Sequence, residues 1–583
     1  MSSSAIALKA ETHSPLTRVV RQALEAALAE KLIDFIVSGR TFYFNLAGNH
    51  YRCTGRVRGF DRVRLAIHTL SQVSPVTRAP NLQQVLTQLL QALPTSETLR
   101  ATFLRELQQT VHWCQWNEAQ QITRPQRRNL SLCELEMAMH EGHPYHPCFK
   151  ARIGFSAADH SRYAPECEAR LQLVWLAVAR ECCFLTGEAQ SDENFYRDIL
   201  SAAICEKFNR TLAQLSLDSE HYVFVPVHPW QWQQVIAPKL EGCDQRVVFL
   251  GSAGDDYFPS QSVRTLLNAD KPTEPDVKLP LNIINTSAPR YLLSHGIDSA
   301  PLISKWLTST LADDDFFQRY PLIVLREYAG VRVNEKKLFN TDKPQVSQLG
   351  AIWRDSMNRH LQAGEQAVPF MALSLTEADG KPFIDPWIAQ YGLRPWLQQL
   401  LQTLIFPVWH LLAHHGIAIE AHGQNTLMVH NNGWPSKLAA RDFHESLEYV
   451  PEFLAAPERA PDFTTNPLYA NAQADEFYWM QSVEALRELA MDTLFVFHLS
   501  ELALLCEEHY QLTEREFWQM VRQCLNQYRQ LAVCDPQRLE QLNYQQAHIA
   551  VESLLRKKLC RQAQEYHHRA ANPLAPTAHT DTL

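Results

Sequence analysis

The sequence predicts an α+β chain built of several parts, on three observations. Its 583 residues exceed what one core holds, because single hydrophobic cores stop growing at roughly 250 to 300 residues. In the middle of the chain, helices mix with β segments rich in Val, Ile and Tyr, such as HYVFVPVHP, VKLPLNIINT and PLIVLREYAGVRV. Towards the C-terminus one hairpin, the sign of a small antiparallel sheet, gives way to long helices.

Three units follow in order. The first, residues 1–130, opens with HSPLTRVVRQALEAALAEKLIDF. There Ser14 is the expected N-cap and Pro15 the first helical residue. TFYFNLAGNHYRC then alternates, with a turn expected at Gly48-Asn49, and a mostly helical stretch interrupted near Pro80 and Pro94 runs to about Asn129. The second unit, 131–350, carries the three β segments and most of the unusual polar clusters. The third, 351–583, holds IAIEAHGQNTLMVHNNGWPSKLAARDF, a hairpin whose turn is signalled by Asn431-Asn432-Gly433. Helices are expected over SVEALRELAMDTLFVFHLSELALLCEEH and TEREFWQMVRQCLNQYRQL, and the tail HHRAANPLAPTAHTDTL is expected to fray.

Composition excludes several classes of function. A net charge of -9 argues against nucleic-acid binding, which normally needs a basic face. The 13 cysteines are scattered, never spaced C-x-x-C, and MSSSAIALKA has no apolar core for a signal peptide. They read as reduced thiols of a cytoplasmic protein. The longest apolar stretch, Leu400 to Glu420, contains Pro407, His410, His414 and His415, so it reads as a buried helix running into a strand rather than a membrane span.

The chemistry concentrates in polar clusters. HEGHPYHPCFKARIGFS, residues 140–156, places His140, His143 and His146 three apart. Helical zinc hydrolases need histidines at i and i+4, and Pro144 and Pro147 rule out a helix interior. A loop holding zinc and a packed His-Pro loop both stay open on these residues alone. VHPWQWQQ supplies a second His-Pro segment, and SVRT places Ser262, Arg264 and Thr265 together. KLPLNIINTSAPR carries Lys278, Thr286 and Arg290, and extended geometry would put Lys278, Asn282 and Thr286 on one face. Arg suits bidentate carboxylate or phosphate contacts and Lys acts as a point charge, so the set reads as a surface for an acid or a triphosphate. The hairpin adds Glu420, His422, Gln424, Asn425 and Asp442. Of these, Asp442, Asn425 and Glu420 offer the hard oxygens that suit magnesium. No P-loop, G-x-G-x-x-G or G-x-S-x-G is present, so any nucleotide site is a non-standard one.

Taken in order, HPYHPCFK, VHPWQWQ, SVRT, KLPLNIINTSAPR, EAHGQN and RDF resemble the siderophore synthetases that work without a nonribosomal peptide template, the aerobactin-synthetase-like family. The resemblance covers residues 130–450 and implies a cupped hand of thumb, fingers and palm, usually dimeric. It implies a cytoplasmic ligase that uses ATP and Mg²⁺ to adenylate a polycarboxylic acid, citrate first, and joins it to an amine or alcohol. A citryl monoamide or 2-oxoglutarate stands as an alternative acid.

By motif, the resemblance assigns His143, His146, Lys150, Ser262, Arg264, Thr265, Lys278, Gln424, Asn425 and Asp442 to the nucleotide. It assigns Thr286, Arg290 and His422 to the carboxylate substrate. His422, Arg290 and Lys278 are the expected catalytic groups, with His422 as candidate base for an amine that arrives protonated, or alternatively as a group that only binds substrate or stabilises the tetrahedral oxyanion. One departure concerns the C-terminus. Members often carry a Lys before a basic-Leu pair, where VESLLRKKL has Glu552 and Ser553; Lys557 or Lys558 is the candidate substitute.

Two other readings compete. H-G-Q-N followed by R-D-F echoes kinase catalytic loops, but Gln424 stands where those need an aspartate base. A non-catalytic protein would bind zinc through His140, His143 and His146.

Overall fold

A computed structural model describes residues 14–576 except 74–78, 121, 123–125, 192–193, 241–244, 287, 340–345 and 561–565. The N-terminal decapeptide therefore lies outside the described residues. Helix Pro15–Ala29 begins as its sequence dictates: Ser14 Oγ accepts from the Thr17 N–H at 3.2 Å, and Pro15 occupies the first turn. Next comes an antiparallel sheet ordered Phe35–Ser38, Thr41–Leu46, Asn49–Val57, Val63–Leu65, with Ser71–Gln72 also against the third strand. Its second turn is Ala47-Gly48, at φ 47° and 83°, one residue earlier than expected. A two-residue turn of this twist needs positive φ at both central positions, and Asn49 already pairs with Leu46. Helices Leu82–Ala92 and Glu97–Ala119 follow, separated at Pro94.

The middle of the chain forms one eight-stranded sheet, antiparallel throughout. Its order is Cys183–Gly187, Glu327–Val333, Gly350–Arg354, Asp276–Lys278, Thr265–Asn268, Val247–Pro259, Leu171–Ala179, Tyr222–Val227. In its centre Thr265 pairs with Lys278, which brings SVRT beside KLPLN. The expected shared face of Lys278, Asn282 and Thr286 does not form. Pro280 separates Asp276–Lys278 from Leu281–Asn285, which leaves the large sheet to pair with Ala288–Arg290. Asn282 is used structurally: its N–H donates to Gln231 Oε1 at 2.9 Å, and Gln231 Nε2 donates back to Asn282 Oδ1 at 3.1 Å. That pair fastens VHPWQWQQ to the site strand.

The hairpin Thr426–Asn431 and Trp434–Ala440 turns at Asn432-Gly433, both at positive φ, as the sequence predicts. Glu365–Pro369 flanks it, and Leu322–Val324 joins in parallel, so a strand from before residue 350 lies with the hairpin. Helices Leu393–His410, Val483–Tyr510 and Glu514–Gln530 pack around it. The second of these is long and apolar enough to cross a membrane, yet it is buried in the core. The tail is not frayed throughout, because His567–Ala571 pairs with His548–Glu552; residues 577–583 lie outside the described residues.

Two apolar cores result. One joins the first and last units through residues such as Leu24, Phe103, Trp409 and Leu525. The other lies against the eight-stranded sheet, around Trp175, Phe208 and Trp353. Twelve described cysteines are free thiols, in line with the reduced state expected.

Candidate active site

A cavity of about 320 Å³ receives loops from both cores. Its wall contains His143 and His146 from the first His-Pro loop, Ser262, Arg264, Lys278, Thr286 and Arg290 from the central strands, and Glu420, His422, Gln424, Asn425 and Asp442 from the hairpin. The motifs are thus brought together, with two exceptions. Lys150 is buried against Glu166, which also binds Arg152 at 2.7 and 3.0 Å, and it borders a different cavity shared with His140. Thr265 is buried in its strand behind Ser262, whose Oγ accepts the Thr265 N–H at 3.1 Å. Neither side chain lines the site, which corrects both as nucleotide contacts. The sequence could not distinguish them, because alternation and burial decide which residue of a motif faces the cavity.

The histidines share one device. Nδ1 of His143 accepts the N–H groups of Tyr145 and His146 at 3.1 and 2.9 Å, and Nδ1 of His146 accepts that of Cys148 at 3.1 Å. Nδ1 of His422 accepts those of Gln424 and Asn425 at 3.1 and 3.2 Å, and Nδ1 of His498 accepts that of Gly423 at 3.0 Å. A neutral ring whose Nδ1 accepts carries its hydrogen on Nε2. All four residues line the cavity, and in His143, His146 and His498, which burial keeps neutral, the hydrogen is therefore on Nε2. Burial lowers His143 to about 3 and His146 and His498 well below the ordinary value, with neighbouring imidazoles adding to the shift. At His422 two backbone N–H groups occupy Nδ1, which leaves Nε2 as the ring nitrogen without a backbone partner. The three histidines of the expected zinc loop are not brought together: backbone N–H groups occupy Nδ1 of His143 and of His146, and His140 lines another cavity.

Cations supply the remaining field. Lys278 Nζ lies 3.0 Å from Asp442 Oδ1 and 3.4 Å from His444 Nε2, and Arg354 Nη1 lies 3.1 Å from the same Asp442 oxygen. Burial alone would raise the Asp442 carboxyl, but Lys278, Arg354 and Arg441 hold it well below the usual range. Arg264 donates to the Tyr291 carbonyl and pairs with Glu445 at 3.2 Å, and Arg290 donates to the Asn285 carbonyl at 2.9 Å. Burial, then Arg264, lowers Arg290 to about 10, which leaves it cationic at neutrality. The Nε groups of Arg264 and Arg290 and Nε2 of His146 and His498 are buried without a protein partner. Unpaired buried donors are costly, and all four of these residues line the one cavity, whose cations suit an anion. Val263, Thr286 and Asp442 hold left-handed backbone at φ 61°, 59° and 65° around it. For the β-branched Val263 and Thr286 that is strain of the kind that gathers at functional sites.

Sequence reasoning missed the partners that position this set. His444 Nδ1 bonds Glu327 Oε1 at 2.7 Å, and although burial would lower the His444 pKa, Glu327 and Glu445 together raise it. Arg354 bridges Asp442 to Asp276, at 2.8 Å from the latter. His444 and Glu445 directly follow the RDF motif, a signal that was available; Glu327 and Arg354 are distant in sequence and carried none. At the C-terminus Leu554 reaches the cavity wall, whereas Lys557 binds Glu552 at 2.6 Å and Lys558 binds Glu106 at 2.5 Å. Neither lysine replaces the one that family members often carry.

Comparison with known proteins agrees with this geometry. Residues 131–375 match the model of the IucA / IucC family, and residues 394–567 that of the ferric iron reductase FhuF-like transporters. The citryl-spermidine/3,4-dihydroxybenzoyl-citryl-spermidine:spermidine ligase of Bacillus anthracis is 33% identical over 96% of this chain and 93% of its own. Aerobactin synthase of Escherichia coli is 32% identical over 66% of this chain and 68% of its own. The crystal structure of the petrobactin biosynthesis protein AsbB of Bacillus anthracis superposes with a TM-score of 0.88 at 32% identity, covering 98% of each chain. The protein therefore belongs to the IucA/IucC family of siderophore synthetases and is a ligase of siderophore biosynthesis.

Proposed function

We propose that this cavity binds ATP and a citrate-type polycarboxylic acid, forms an acyl adenylate, and passes the acyl group to an amine, releasing pyrophosphate and then AMP. The observation that carries the reading is the convergence of Arg264, Lys278, Arg290 and the histidines His143, His146, His422 and His498 on one cavity. Carboxylate and triphosphate repel each other, and preorganised donors of this kind offset that charge before reaction.

In this reading His143, His146, Ser262, Arg264, Lys278, Gln424, Asn425 and Asp442 face the nucleotide, and Thr286, Arg290 and His422 face the acid. A carboxylate oxygen attacks the α-phosphorus and pyrophosphate leaves with the electron pair of the broken P–O bond. The amine nitrogen then attacks the acyl carbon, AMP departs, and the nitrogen loses a proton. His422 Nε2–H donates to the acyl oxygen as charge builds on it. Glu420 Oε1, 3.7 Å from His422 Nε2, is placed to receive the amine proton. Asp442, Asn425 and the second oxygen of Glu420 are hard donors that fit Mg²⁺, which when bound would neutralise phosphate charge. Action in the cytoplasm as a homodimer belongs to the same proposal.

A second acid is favoured by one feature. Leu554 and Phe497 line the wall, and the C-terminal helix lysines Lys557 and Lys558 are already neutralised by Glu552 and Glu106, so this part of the cavity suits a neutral substituent better than a third carboxylate. A citryl monoamide, the class named for the Bacillus anthracis relative, has that form. Pyrophosphate release is to be measured with ATP and citrate, a citryl monoamide or 2-oxoglutarate, followed by product mass with a panel of diamines. Acid-dependent AMP and an amide product support the reading. ADP in place of AMP would make the protein a phosphotransferase, and no acid-dependent turnover would remove the proposal.

A further inference from the structure

The Leu400–Glu420 stretch carries three histidines that the reaction pocket does not use. His410 ends helix Leu393–His410, and His414 and His415 sit in the π-helical turn that follows. Asp314 faces them from the corner between helices Ser294–Ala312 and Phe316–Arg319. His410 Nε2 and His415 Nε2 both approach Asp314 Oδ2, at 2.9 and 2.8 Å. His414 stacks on His410 at 4.8 Å and 6° and lies 4.7 Å from the His415 ring.

We propose that Asp314, His410, His414 and His415 form a second ligand site, binding a divalent transition-metal ion of the zinc class. One donor atom from each residue lies within 4.8 Å of all the others. Tetrahedral zinc with bonds of about 2.0–2.1 Å places its donors about 3.4 Å apart, so the two contacts to Asp314 at 2.9 and 2.8 Å would open by roughly 0.5 Å and separations of up to 4.8 Å would close by up to about 1.4 Å. The outer contacts are already those of a ligand set. Tyr528 Oη holds His410 Nδ1 at 2.7 Å, which turns Nε2 towards the centre, and the Phe316 N–H occupies Asp314 Oδ1 at 2.8 Å, leaving Oδ2 for the ion. Three imidazoles and one carboxylate select zinc, cobalt or nickel over magnesium and calcium.

The cluster opens on a cavity of about 820 Å³, larger than the reaction pocket, which gives an ion a path of entry. His415 and Glu420 are joined by strand Ile417–Ile419, which spans roughly 10 Å at strand rise. The ion would clamp the Asp314 corner, the end of helix Leu393–His410 and, through Tyr528, helix Glu514–Gln530.

The test uses the full chain, stripped with chelator and dialysed against zinc chloride alone. One zinc per chain is expected, with a raised unfolding temperature and, on exchange for cobalt, the visible absorption of a tetrahedral ion. His414→Gln removes one ligand whose contacts here are ring stacking, and it should weaken zinc binding by on the order of 10²-fold with the fold retained by circular dichroism. His415→Gln should do the same. Absence of stoichiometric zinc overturns the proposal. So does undiminished binding in both variants, which would place the ion elsewhere.

Discussion

Lys278 Nζ and Asp442 Oδ1, 164 positions apart, meet at 3.0 Å and join the central sheet to the hairpin loop across the reaction cavity. The same oxygen also holds Arg354 at 3.1 Å. Asp442→Asn leaves Lys278 without its ion-pair partner and Arg354 with Asp276 alone, and breaking a buried pair from one side costs about 3 kcal/mol or more. Pyrophosphate release should fall by on the order of 10²-fold, and urea unfolding should show the loss of stability. Full activity in Asp442→Asn would remove Asp442 from the site.

Gly423 admits no side chain, since an added Cβ would lie 1.6 Å from His498 Nε2. Gly423→Ala must displace the His498 ring and break its bond to the residue 423 N–H. We expect activity to drop at least tenfold, roughly the effect of one lost hydrogen bond in a preorganised site. Adding His498→Ala should restore thermal stability towards wild type without restoring activity. A Gly423→Ala protein as active as wild type would show that this ring does not act on the substrate.

His422 gives a sharper distinction. As a donor through Nε2–H it is needed for both half-reactions, so His422→Ala should reduce adenylate formation as well as amide formation. His422→Gln, which keeps an N–H donor, should retain more of both. Retained adenylate formation with amide formation lost in His422→Ala would return the ring to the role of base.

The Lys150–Glu166–Arg152 cluster bears on stability rather than turnover. Burial would raise the Glu166 carboxyl, but Arg152 and Lys150 hold it well below its ordinary value of 4.5. A depressed folded-state pKa contributes stability that is complete above the unfolded value and is lost as pH falls through the folded one. Glu166→Gln should therefore cost about 3–5 kcal/mol at pH 7. Its difference from wild type should shrink below about pH 4.5. Urea unfolding at several pH values measures this, and a difference independent of pH would contradict it.

Much of the site was legible because its motifs fold locally. Ser14-Pro15 starts a helix, Asn432-Gly433 makes a turn, and EAHGQN delivers Glu420, His422, Gln424 and Asn425 to one wall. What was hidden depended on contacts across the chain. Lys150 sits in a motif with two site histidines yet faces Glu166, and Arg354 reaches Asp442 from a strand with no motif. The expected Lys278–Asn282–Thr286 face failed because Pro280 hands the second half of the segment to another sheet. The Nε2–H donor state of the histidines follows from backbone N–H groups that no side-chain pattern encodes.

The central claim is transfer of a carboxylate oxygen to the α-phosphorus of ATP. Turnover of ¹⁸O-carboxylate-labelled citrate or citryl monoamide with ATP and a diamine tests it directly, by mass analysis of the nucleotide. The account predicts one ¹⁸O in each AMP released, with pyrophosphate unlabelled. Label appearing in inorganic phosphate alongside ADP, or AMP formed without label, would contradict it.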